Sequence, residues 1–238
     1  MKPFQQQIDD FVKRKVLSKM SPVKIKEVGP GYTVPHNFVE KENSTTPLRL
    51  VTNSSFKSPS SGLSLNDITL KEPSSLNSLH SILLRFRAHR VGLVGDLSKM
   101  CHSVMIHPDQ RFLRRILWRE PQFWGTPFSQ NPPEVYNIDT LTFGDRPADC
   151  GSTTALRNTA QMNEHINPKA AKEVINSTYV YDLVSGEKDV NQAKQLIEDV
   201  KKITEPGGFV FKKFLISGDL AELEFEGQGM FGGLEEKV

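Results

Sequence analysis

Apolar positions along the chain change spacing several times, and each change predicts an element. Ile8, Phe11, Val12 and Val16 fall on one side of a helix. Residues 29–61 are rich in Pro, Gly, Ser, Thr and Asn, with one strand-like run from Leu48 to Val51. They predict an extended, loop-rich region. Ser74 or Ser75 is placed to cap a helix that carries Leu76, Leu79, Leu83 and Phe86. The run Val91 to Val94 leads into Asp96, as a buried strand would present an acid at its tip. Arg111 to Trp118 predicts a short helix running into a strand, and residues 120–134 a loop. Residues 137–143 alternate, with Ile138, Leu141 and Phe143 pointing inward. A helix of small residues is expected over 148–162, and Pro168 opens another through Ala171, Val174 and Ile175. Thr178 to Val184 predicts strand, sharp turn, strand. Asp189 then caps a helix whose face holds Ala193, Leu196, Ile197, Val200 and Ile203. Pro206, Gly207 and Gly208 stop it, and Phe209 to Ile216 forms a last strand. The acidic, Gly-rich tail, 218–238, is expected to fray. Beyond residue 90 the order implies an α+β fold, an antiparallel or mixed sheet with helices on one face.

Composition adds limits more than chemistry. The 238 residues are 37% hydrophobic and 24% charged, enough for a core in one or two domains. No run approaches the ~20 apolar residues that span a bilayer, and no apolar stretch follows the N-terminal charges as in a signal peptide. Cys101 and Cys150 form no CxxC pair. An intracellular place, cytoplasm or nucleus, with no membrane partner, is expected. The net charge is only +2, but Lys and Arg cluster at 13–15, 85–90, 111–115, 201–202 and 212–213. Each cluster alone reads as a solvated face. No GxGxxG or Walker loop is present.

Asp96 and Asp182 each follow an apolar, strand-prone run. Two carboxylates meeting at one sheet edge can hold a pair of Mg²⁺ ions for nucleotidyl transfer. On spacing alone, a helix-capping Asp96 and a turn residue at Asp182 is the simpler reading.

The motifs shift that balance. Tyr179, Val180, Tyr181 and Asp182 resemble the Tyr-x-Asp-Asp hairpin of reverse transcriptases. Further segments, in order, resemble the reverse-transcriptase domain of Bel/Pao-type LTR retrotransposons. They are residues 31–39, residues 47–55, Leu63 to Asp67, Leu76 to Leu79, Val94 to Met100, Leu113 to Trp118, Thr142 to Ala148, Ala155 to Ala160 and Gly207 to Lys213. The resemblance covers roughly residues 20–218. It implies a right-hand polymerase palm, an antiparallel sheet with helices on one face, plus a fingers subdomain. Residues 1–92 and 119–145 would be fingers, and 93–118 and 146–217 palm. It implies RNA-directed DNA synthesis on an RNA or DNA template with primer, using dNTPs and two Mg²⁺ or Mn²⁺ ions. The flanking protease, RNase H and integrase regions of a pol polyprotein are not in this sequence.

Residue by residue, the resemblance makes Asp96 and Asp182 catalytic metal ligands, with the backbone carbonyl of Leu97 beside them. Tyr181 stands where the family has its first aspartate of the pair. A phenol is neutral near pH 7 and a poor ligand for a hard cation, so activity is expected to be weakened or lost. Asp182 is not expected to substitute, since adjacent residues point to different sides. Cys101 replaces an aromatic residue that lies under the sugar, and it would leave room for a ribonucleotide. His102 resembles the family's His. Arg49 and Lys213 would contact the triphosphate, and Phe143 and Gly144 the nascent base pair. Asp149 is unusual at the start of its helix. A non-catalytic nucleic-acid-binding module and a decayed element fragment are the alternatives.

Overall fold

The computed structural model describes residues 2–29, 31–40, 48–71, 73 and 75–217. The expected tail, Pro47 of the second motif and the Ser74 cap lie outside the described residues. In chain order the elements are α1 (Lys2–Lys13), β1 (Leu17–Lys19), α2 (Pro22–Val28), β2 (His36–Glu40), β3 (Leu48–Thr52), α3 (Leu65–Ile68) and α4 (Leu79–Arg87). They continue with β4 (Val91–Ser98), β5 (Arg115–Trp118), β6 (Glu134–Ile138), α5 (Ala148–Met162), α6 (Pro168–Ser177), β7 (Thr178–Tyr179), β8 (Asp182–Glu187), α7 (Val190–Thr204) and β9 (Val210–Ile216).

The strands form three sheets, each antiparallel: β7-β8-β4-β9, β1-β6-β5 and the pair β2-β3. Odd positions of β4 and β8, among them Leu93, Leu97 and Leu183, enter one core. There they meet Leu156 and Ala160 of α5, Ala171 and Val174 of α6, and the Ala193–Ile203 face of α7. The even positions, ending in Asp96 and Asp182, therefore face away from these three helices. A second core joins Ile8 and Phe11 of α1 to Leu17, Ile116, Trp118, Tyr136 and Ile138 around the three-stranded sheet.

Local chemistry explains most helix starts. Asp189 accepts the backbone N–H of Gln192, and Asn167, before Pro168, accepts that of Ala170. Ser64 and Asp67 form a reciprocal capping box on α3.

Several expectations need correction. Helix α4 is capped by Ser78, not at Ser75, and its buried residue is Ile82, while Leu79 and Leu83 are exposed. This helix also lies on the opposite sheet face from α5, α6 and α7. Its Phe86 ring sits where a side chain on Gly92 would stand, 2.7 Å from an ideal Cβ, and His89 crowds Gly186 in the same way. Helices thus cover part of both faces. Strand β5, which follows the first catalytic motif in the chain, pairs with β6 and belongs to the three-stranded sheet. Phe143 is turned out, and Val12 is exposed on α1.

Candidate active site

The strand register builds the site. Asp96 lies directly opposite Asp182 across β4–β8 and opposite Lys213 across β4–β9. One row across three strands therefore reads acid, acid, base. The Leu97 N–H donates to the Tyr181 carbonyl at 2.9 Å, which makes the next position, Asp96 with Asp182, the closely spaced non-bonded kind of pair. Burial, and then the charge of Asp96, push the Asp182 carboxyl above its ordinary range. Asp182 thus faces Asp96, while its neighbour at 181 diverges from it. It is the Tyr181 side chain that turns away.

A cleft of about 820 Å³ opens at the Asp96 position of this row. It is lined by Arg49 from β3, Asp96 and Leu97 from β4, Lys99, His102, Phe143, Tyr181 and Lys212. A register shift in the β4–β9 pairing falls between Asp96 and Leu97, at the floor of this cleft. His102 sits between Phe11 and Phe143, with ring centroids at 5.3 and 6.1 Å. Burial, and then Arg14 and Lys99, push its imidazole down to about 4, so it is neutral near pH 7.

The hairpin turn carries strain. Val180 has φ +53°, a left-handed conformation that a β-branched residue rarely adopts. Beyond it the Tyr181 ring packs edge-on against Phe143, centroids 5.6 Å apart, and its hydroxyl donates to Asp149 Oδ1 at 3.2 Å. Burial, together with neighbouring Cys101 and Asp149, raises the phenol further from ionisation. Cys101 has no exposed surface and packs with Leu141 and Ala148 beneath Tyr181. The expected opening for a ribonucleotide at Cys101 is therefore filled by the Tyr181 ring, and Cys101 does not line the cleft. Burial raises its thiol as well.

Phe143 and Tyr181 also form one wall of a second, polar cleft of about 570 Å³, with Gly144, Lys57, Lys71 and Arg146 on its lining. Residue-level reading missed what holds this wall. Buried Asp145 pairs with Arg114, accepts the Thr142 N–H at 2.7 Å and its hydroxyl at 2.9 Å, and accepts Ser54 Oγ at 2.6 Å. The only local signal was Thr142 three residues before Asp145, a side-chain-to-backbone turn pattern.

The donor set does not fit a pair of divalent cations. Asp96 and Asp182 supply two carboxylates, and among the described residues no group of three or more His, Cys, Asp or Glu side chains is placed to hold a metal.

A scan against models of known protein families finds no match, and neither does a search of curated proteins. Solved structures do match. A foamy viral protease-reverse transcriptase in complex with double-stranded DNA aligns with TM-score 0.61 and 18% identity, over 87% of this chain and 30% of that one. The native prototype foamy virus protease-reverse transcriptase aligns with TM-score 0.58 and 19% identity, over 86% of this chain and 22% of that one. The fold is reverse-transcriptase-like. The chain spans less than a third of the length of either neighbour. Among the described residues no helix is long and apolar enough to cross a membrane.

Proposed function

We propose that this chain is a reverse-transcriptase domain of a Bel/Pao-type retrotransposon pol protein whose polymerase activity is weakened or lost. The observation that carries the reading is the in-register pair Asp96 and Asp182, with Lys213 completing the row and Asp96 lining a cleft. The β4 sheet with α5, α6 and α7 serves as palm, and the β2–β3 pair with the loops before α3 belongs to the fingers. Template, primer and dNTP are the partners, and double-stranded DNA in the foamy viral neighbour supports that choice. Arg49 and Lys213 would hold the triphosphate by charge-assisted hydrogen bonds. Phe143 and Gly144 would contact the nascent base pair. Asp96 and Asp182 would hold one Mg²⁺ or Mn²⁺, which when bound would supply charge neutralisation at the reacting phosphate, and the neutral Tyr181 adds no third acid.

Primer extension on an RNA template with Mn²⁺ tests this. Any synthesis is expected to fall by roughly 10³-fold or more in Asp96→Asn. An unchanged rate in that variant would show that Asp96 is not the first acid of a nucleotidyl-transfer site. Robust wild-type synthesis would remove the claim of weakened activity.

A second reading has one observation in its favour. The hydroxyl of Tyr181 is committed to Asp149 rather than to the acid row. A scaffold that binds nucleic acid without synthesis fits this, and it predicts binding to primer–template with no extension under any metal.

A further inference from the structure

Two unusual residues of the site, Tyr181 and Asp149, touch each other. The Tyr181 hydroxyl donates to Asp149 at 3.2 Å, its ring rests on Phe143 and on the Cys101 cluster, and its carbonyl accepts the Leu97 N–H at 2.9 Å. The residue before it, Val180, is held at φ +53°. Such a conformation persists only where the surroundings over-determine it. Tyr181 supplies three of those restraints at once.

We infer that Tyr181 is a positioning residue, with Asp149 as its anchor. It clamps the turn so that Asp182 stays opposite Asp96, and position 181 cannot take an acid unless position 149 is neutralised. The reason is local. An aspartate at 181 is too short to replace the phenol contact, so it would strip the Asp149 carboxylate of its donor and add a second negative charge to the same pocket, where like charges disfavour each other. The first turn of α5 already carries Asp149, so its helix dipole has an anionic partner. The missing ring would also leave a void over Cys101, Leu141 and Ala148, which are buried. A single step back to an acid therefore produces a clash rather than a repaired site.

The clamp itself stands on geometry, and only the metal readout below rests on the proposed acid site. Two measurements on the full chain test it. The first is thermal melting of Tyr181→Asp, Asp149→Asn and the double variant. Tyr181→Asp is expected to lower the melting temperature by about 4–8 °C at pH 7. The double variant is expected to recover part of that loss. Shifts that simply add would overturn the clash. The second is Mn²⁺ affinity, by electron paramagnetic resonance with the ion alone, in Tyr181→Phe and Tyr181→Ala. Phe keeps the ring and is expected to bind Mn²⁺ as the wild type does, whereas Ala is expected to bind about tenfold more weakly. Equal affinity in both variants would overturn the positioning role, and it decides the matter if Tyr181→Asp fails to fold. A wild type that binds no Mn²⁺ would instead sink the acid-site reading, and the melting cycle would still judge the clamp.

Discussion

His102 shows at the residue scale how surroundings set chemistry. In the unfolded chain its imidazole takes a proton near its ordinary value of 6.5, but in the folded protein only near 4. Between those values the unfolded state binds more protons, so stability is full above pH 6.5 and falls as pH drops through 6.5 towards 4. A His102→Phe variant keeps ring contacts with Phe11 and Phe143 and has nothing to protonate. Its melting temperature is expected to lose less than the wild type's between pH 7 and pH 4.5, by the equivalent of about 2 kcal/mol. Parallel pH profiles for the two proteins would contradict this. The same scale separates Tyr181 from Asp182. Tyr181 was legible as a departure from a paired-acid turn, and Asp182 as a match to its second acid. Which of them faces Asp96 was not, because a hairpin's register depends on its partner strand.

At the scale of elements, local signals worked where a segment's own periodicity and cap decided its structure. Helix α7 starts at Asp189 and buries Ala193, Leu196, Ile197, Val200 and Ile203, as its spacing predicts. Helix α4 is the counterexample. Its apolar residues run nearly all round, and the groove made by Gly92 and Gly186 selects the turn that carries Ile82 and Phe86. Asp145 belongs to this scale because it ties the end of β3, the 142–145 turn and Arg114 before β5 into one buried network. Removing it strands a buried guanidinium. Asp145→Ala is expected to cost about 3–5 kcal/mol in a denaturant melt. A loss below 1 kcal/mol would mean that Arg114 finds water instead.

For the molecule as a whole, a net charge of +2 says little, yet the cleft in front of Asp96 gathers Arg49, Lys99 and Lys212. If each meets one phosphate, binding to a primer–template duplex should weaken about 40-fold between 50 and 200 mM salt. A filter-binding titration reads the slope, and salt-independent binding would refute an electrostatic cleft. The sequence alone determined the α+β class and most element boundaries after residue 90, because caps, turns and periodicity are local, and its motifs singled out Asp96 and Asp182 as the acids to weigh. The tertiary structure alone decided that Asp182 and not position 181 faces Asp96, that the Tyr181 ring fills the space above Cys101, and that Asp145 braces the cleft wall. Each of these depends on residues distant in the chain, brought together by strand register and side-chain volume, and neither quantity is encoded within a single segment.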